Sequence, residues 1–303
     1  MRRRSFGQTI RTLGPEHHAA KAGTPTMGGV VLLVLWIAGA AVLFPWHPPT
    51  TATLSVLVAG VAFAAIGAAD DLISISRRRS LGLSVFAKLA LSTVIAVVLF
   101  FAFEDVFSNP VRIPFGSGLV FLPPAAAFAL TYTVFLATTH AVNLTDGLDG
   151  LAGGVAILVL LGTLALSDST FTAVTAPLIA VLVGFLWINV HPADLFLGDA
   201  GSFLLGGVIA ALCLAGGLAF YLPILAGLLV LEAGSVILQV LSFRIFGRRL
   251  FRMSPLHHHF ELTTGPTHQH ILPAFSWPEG KLTVRFWIVE AVFVGLALMA
   301  DRL

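Results

Sequence analysis

The sequence predicts an all-α polytopic protein that crosses a membrane about nine times. Three observations carry that expectation. The 303-residue chain is 57% hydrophobic and only 11% charged, with a mean hydropathy of +0.95; soluble domains carry roughly 25% charged residues. Its apolar residues fall in runs near the ~20 residues that a membrane helix needs. Its basic residues gather on alternate connections between those runs.

The apolar runs are 27–45, 51–69, 86–103, 119–141, 151–167, 171–189, 203–219, 222–241 and 283–300. Gly60, Gly67, Pro177, Gly184 and Gly227 lie inside them; such residues are tolerated in membrane helices and allow close helix contact. The 24 Phe against two Tyr suit lipid-facing helices. A single cysteine, Cys213, excludes a disulfide framework and a cysteine-based metal site. Met1 to Lys21 is basic and polar with no apolar core behind it, so no cleavable signal peptide is expected. The whole chain, 1–303, reads as one integral membrane domain.

Orientation follows from Lys and Arg. Arg2, Arg3, Arg4, Arg11, Lys21, Arg77, Arg78, Arg79, Lys88, Arg244, Arg248, Arg249, Arg252, Lys281 and Arg285 fall on one side, against Arg112 and Arg302 on the other. That bias of fifteen to two puts the amino terminus and every even connection in the cytoplasm, and an odd span count leaves the carboxyl terminus outside.

Three acidic clusters then share the cytoplasmic face. Asp70-Asp71 ends the second span, Asn143-Leu-Thr-Asp-Gly-Leu-Asp-Gly150 joins the fourth to the fifth, and Gly198-Asp199 lies between the sixth and seventh. Ionisable groups lodged among membrane spans are expensive and mark function. Asp70, Asp71, Asp146, Asp149 and Asp199 form an oxygen-rich set suited to Mg²⁺ or Mn²⁺, which keep waters and bridge to phosphates. Any one of these acids also reads as a helix cap, Asp146 and Asp149 especially; five together on one face do not. Lys88 reads equally as a phosphate-neutralising charge or as a snorkelling interfacial anchor.

Between the eighth and ninth spans lies Pro255-Leu-His-His-His-Phe-Glu261. Three consecutive imidazoles point in different directions, so this run alone makes no three-histidine zinc site. Beside Arg252 they suit a diphosphate or a change of protonation. Thr263 to Pro278 is a Pro-, Thr- and His-rich loop expected to be mobile or to cap the site. Glu232, a carboxylate inside the eighth span, is expected to pair with Ser235 or Gln239 or else to lie near the site, and Asn189 to terminate the sixth span.

Lys21-Ala-Gly-Thr-Pro-Thr-Met-Gly-Gly29, Asp70-Asp71, Asn143–Gly150 and Phe196-Leu-Gly-Asp-Ala-Gly-Ser202 occur in that order. Together they resemble the polyprenyl-phosphate N-acetylhexosamine-1-phosphate transferase superfamily. Met253-Ser-Pro-Leu-His-His-His-Phe-Glu-Leu262 and Val284-Arg-Phe-Trp287 narrow the resemblance to the phospho-N-acetylmuramoyl-pentapeptide transferase family. It covers nearly the whole chain.

That resemblance implies transfer of phospho-N-acetylmuramoyl-pentapeptide from its uridine diphosphate carrier to undecaprenyl phosphate. Lipid I forms, UMP is released, and Mg²⁺ is required. It implies Asp199 as the metal ligand and places Asp70 and Asp71 on the lipid-phosphate side, with Asp70 as base. Asn143, Asp146, Asp149, Asn189 and Phe196 would line the nucleotide pocket, Phe196 by stacking on uracil. Lys21, Thr26, Lys88 and His257 to His259 would surround the phosphates and sugar, with His258 catalytic and Gln239 in contact with substrate. It also implies a bacterial cytoplasmic membrane and a homodimer; no nucleic-acid partner is expected. Family members carry one more span before the segment resembling Phe6 to His18, so either the start is truncated here or this member lacks that helix.

Two rivals stand beside this reading. A sister transferase acting on N-acetylglucosamine-1-phosphate would share the aspartates but not the Pro255–Leu262 run. A secondary transporter would place its acids at the midplane of inverted repeats, whereas these acids sit at span ends and no repeat is evident.

Overall fold

The computed structural model describes residues 25–77, 82–116, 118–261 and 269–303. Helix dominates because the apolar runs carry no polar groups to satisfy the backbone, and only internal hydrogen bonding does so in hydrocarbon. In chain order the helices are α1 (Gly28–Leu43), α2 (Thr51–Arg77), α3 (Val85–Ala102), α4 (Glu104–Phe107), α5 (Pro124–Thr145), α6 (Leu151–Leu166), α7 (Thr172–Asn189), α8 (Gly198–Ala215), α9 (Leu222–Leu225), α10 (Gly227–Phe246), α11 (Leu256–Phe260) and α12 (Glu279–Ala300). Among the described residues, seven apolar helices are long enough to cross a membrane, and α1 and α6 are shorter apolar helices of 16 residues each. The chain is a multi-pass, all-α membrane protein, and each of the nine expected runs overlaps one of these nine apolar helices.

The boundaries depart from the apolar runs where local chemistry intervenes. The run beginning at 119 opens instead on a hairpin, β1 (Val111–Arg112) paired antiparallel with β2 (Leu119–Val120). The helix starts only at Pro124, with Pro123 as its cap residue, because proline suits the first helical turn and not the interior. It then runs on to Thr145 and so carries Asn143. Helix α2 continues eight residues past the expected end, placing Asp70 and Asp71 inside a helix rather than after it. The 222–241 run breaks at Ala226, and the Leu228 amide beyond the break donates to Glu290 Oε2 at 2.8 Å.

Helix α8 is the centre of the bundle. Every residue from Ala200 to Ala215 is buried, and α2, α5 and α1 pack around it. Gly67 lets α2 approach closely: a Cβ there would run into the backbone of Asp199 and Ala200. The contact brings the Asp70–Asp71 pair alongside the first turn of α8. On the far side α6 packs against α12, and α10 leans on α5 and α12. At the opposite end of the bundle Arg112 pairs with Asp301 and donates to the Leu166 carbonyl at 2.7 Å.

Candidate active site

The first turn of α8 has amides without intrahelical partners. Asp71, reaching across from α2, accepts from two of them, Asp199 N at 3.2 Å and Ala200 N at 3.0 Å. An anion is stabilised there by the helix dipole as well as by the hydrogen bonds. Asp70, one residue earlier, accepts from the Leu83 amide at 2.6 Å and pairs with Lys88 at 3.1 Å. Lys88 comes from the start of α3, whose amino terminus Ser84 caps through Ala87 N, and its ammonium also pairs with Asp199. The other Asp199 oxygen accepts from Asn143 Nδ2 at 3.0 Å, and the same amide reaches Ser202 Oγ at 3.0 Å. One carboxylate oxygen from each of Asp70, Asp71 and Asp199 lies within 4.8 Å of the others, a group able to hold a metal ion.

A second cluster is built around Asp149. Its carboxylate meets His191 Nδ1 at 3.1 Å and accepts from Ala193 N at 3.1 Å, while its amide donates to Glu279 Oε1 at 2.8 Å. Thr283 on α12 donates to its carbonyl at 3.2 Å. Asn189 completes the tie: its Oδ1 accepts from Gly150 N at 3.1 Å and its Nδ2 donates to Leu195 O at 2.8 Å. These bonds pin the 143–150 segment to the α7–α8 connection and to the start of α12.

The histidine run forms α11, and its three rings do take three directions. His257 meets Glu232 on α10, His258 meets Glu261 at 2.7 Å, and His259 accepts from Arg252 N at 3.0 Å and reaches Pro273 O at 3.1 Å. Burial holds the His259 ring below the ordinary histidine value, and Arg252 and His270 push the same way against the Pro273 hydrogen bond. The Arg252 guanidinium serves the loop itself: it donates to His259 O at 2.7 Å, to Glu261 O and to Ser276 Oγ at 3.1 Å. Burial lowers its pKa, opposed by Glu261. Gln239 clamps the preceding turn, accepting from Leu250 N and Phe251 N at 3.0 and 2.9 Å and donating to Phe251 O at 3.1 Å.

The 143–150 segment therefore touches everything else. Asn143 reaches Asp199, Gly147 abuts the His257 ring, and Asp149 and Gly150 hold the α7–α8 connection. Among the expected residues, Asp70, Asp71, Lys88, Asn143 and Asp199 come together. Thr26 is buried next to Gly198, and Phe196, half-buried, is tied through its backbone to Pro25 and Gly28. Asp146 is half-buried at the end of α5. Asp149 and Asn189 spend their side chains on holding the loop. Lys21 and residues 263–268 of the expected cap lie outside the described residues; the rest of that loop is bonded to the turn after α10 through Ile271 N to Arg249 O and to the histidine segment through Trp277 N to Phe260 O.

Two residues, Glu279 and His191, carry no distinguishing signal in the sequence, and a third, Glu232, takes a partner other than Ser235 or Gln239. Glu232 meets His257 rather than the side chain of Ser235 or Gln239, and the Ser235 hydroxyl donates to the Glu232 carbonyl. Glu279 after Pro278 reads as an ordinary first-turn acid, and only the packing of α12 on α6 takes it to Asp149. His191 reads as a helix-terminating neighbour of Pro192. Nothing local marks either of these two.

Residues 53–217, more than half of the chain, match the family model described as Glycosyl transferase family 4. Residues 21–33 match phospho-N-acetylmuramoyl-pentapeptide-transferase signature 1. A curated phospho-N-acetylmuramoyl-pentapeptide-transferase of Rubrobacter xylanophilus is 40% identical, the match covering 98% of this chain and 88% of that protein. The protein of the same name from Caldanaerobacter subterraneus subsp. tengcongensis is also 40% identical, over 96% and 89% of the two chains. That of Moorella thermoacetica is 43% identical over 98% and 90%. Identity at this level along almost the full length, on a fold that brings the motif residues together, shows that the chain belongs to the phospho-N-acetylmuramoyl-pentapeptide-transferase family.

Proposed function

We propose that the chain transfers phospho-N-acetylmuramoyl-pentapeptide from UDP-N-acetylmuramoyl-pentapeptide to undecaprenyl phosphate, forming lipid I and releasing UMP. It does so as one domain in a bacterial cytoplasmic membrane, with the site facing the cytoplasm, where fifteen of its seventeen Lys and Arg residues lie. The observation that carries the reading is the convergence of Asp70, Asp71 and Asp199 with Lys88 and Asn143 from four helices, α2, α3, α5 and α8.

Three carboxylates with oxygens within 4.8 Å of one another fit Mg²⁺, a hard cation that prefers oxygen donors and retains waters for exchange with phosphate. Asp199 would be its ligand, with Asp70 and Asp71 beside it. When bound, the ion supplies neutralisation of the charge on the diphosphate.

The chain's own residues do the rest by positioning. A lipid phosphate is already an anionic nucleophile. Its oxygen attacks the phosphorus that bears the sugar, a new pyrophosphate linkage forms, and the bond to UMP breaks. Direct attack needs alignment rather than a covalent aspartyl intermediate. Asp70 orients the acceptor and takes any proton it carries, and Asp71 holds the turn that presents Asp199. Lys88, with Lys21, Thr26 and His257 to His259, binds the phosphates and sugar, and His258 acts at the reacting groups. Asn143, Asp146 and Phe196 receive the nucleotide, and Asp149, Asn189 and Gln239 hold the walls to which it binds.

Two donors offered side by side test the substrate. With undecaprenyl phosphate present, UDP-N-acetylmuramoyl-pentapeptide is expected to yield a lipid product, identified by its mass, and UDP-N-acetylglucosamine none. Product from UDP-N-acetylglucosamine alone would assign the chain the sister activity.

A further inference from the structure

We infer that Glu232 is a positioning residue that fixes the tautomer of His257 and leaves its Nε2 as a hydrogen-bond acceptor for the sugar-nucleotide. Both side chains are fully buried. Glu232 Oε2 lies 3.1 Å from His257 Nδ1, and the His257 amide lies 3.2 and 3.3 Å from the two carboxylate oxygens. Two donors thus converge on one carboxylate. An ionised carboxylate can only accept, so Nδ1 carries a ring proton, and of the two neutral tautomers this selects the one whose Nε2 keeps its lone pair.

That Nε2 is buried and has no hydrogen-bond partner among the described residues. It lies against Gly147, where a Cβ would collide with the ring, so only glycine admits the imidazole at this point of the 143–150 segment. The same segment carries Asn143 on Asp199. A buried acceptor left unpaired is costly, and such groups call for a functional explanation. A hydroxyl or N–H of the sugar half of the donor is the complementary chemistry. The identity of that ligand rests on the transferase reading; the tautomer is a property of the chain alone.

The two parts are tested separately. In protein labelled with ¹⁵N-histidine, His257 signals assigned by their loss in His257→Asn should show a neutral ring protonated at Nδ1. A ring protonated at Nε2 would overturn the inference whatever the enzyme's activity. In UMP-release assays Glu232→Leu is expected to lower kcat/KM for the UDP-sugar about a hundredfold, a size seen when partners that orient a histidine are removed. Glu232→Gln keeps an acceptor and is expected to stay within about tenfold of wild type, and Glu232→Leu should add nothing in a His257→Asn background. Losses that add in the double variant, or a Gln variant as damaged as Leu, would overturn it. Absence of UMP release from wild type would instead sink the transferase reading and leave the tautomer measurement standing.

Discussion

Asp71 on α2 caps the helix that carries Asp199: its carboxylate accepts from Asp199 N at 3.2 Å and from Ala200 N at 3.0 Å. Two acids six helices apart in the element order are thereby one unit, the first holding the turn from which the second projects. Asp71→Ala is expected to destabilise the protein by about 1–2 kcal/mol, the usual cost of losing a cap, and to reduce turnover by two orders of magnitude or more, as about 1 Å of misplacement does elsewhere. Asp71→Asn keeps one acceptor and should recover most of the stability. Melting in detergent and UMP release, measured on both variants, separate the two effects.

Lys88 bridges Asp70 and Asp199. Removing its charge leaves two partly buried acids facing each other, so Lys88→Met is expected to lower turnover about a hundredfold. Lys88→Arg should not restore it, because a planar guanidinium does not replace a compact ammonium between two carboxylates. Full activity in the Arg variant would mean that charge alone is required.

Gly147 faces the His257 ring with no room for a Cβ. Gly147→Ala is expected to displace the ring or the segment, at about 1–3 kcal/mol of strain, and to reduce activity far more than the flanking Leu148→Ile. Equal effects from the two substitutions would contradict the proposed contact.

His259 gives a stability prediction with a definite sign. Burial holds its folded value below the ordinary 6.5, so the unfolded chain takes up the proton first. The stability from a neutral His259 is present in full above pH 6.5 and is lost as pH falls toward the lower folded value. Melting temperature should therefore drop on acidification from pH 7 to 5, and the drop should be smaller in His259→Gln. An unchanged slope in that variant would remove His259 as its source.

Much of this was legible in the sequence because the membrane reduces the problem to runs and charges. The nine apolar runs and the acidic clusters near Asp70 and Asn143 follow from hydropathy and charge alone. What was not legible are partners set by packing. Asp149 and Asn189 are polar residues in a motif, yet their side chains tie the loop to His191, Ala193, Gly150 and Leu195. Glu232 looked like a partner for its own helix, and Glu279 like a helix-start acid. Each lies many residues from its partner, and no local pattern encodes that distance. Helix ends also shifted where a partner from another helix satisfied the next turn, as Asp71 does for α8.

The most direct test of the central claim is UMP release from UDP-N-acetylmuramoyl-pentapeptide by detergent-solubilised protein, with and without undecaprenyl phosphate and with Mg²⁺ or a chelator. Release that needs both lipid and Mg²⁺, and that falls to background in Asp199→Asn, is the predicted result. Release that persists in folded Asp199→Asn, or that proceeds in chelator, would contradict the account.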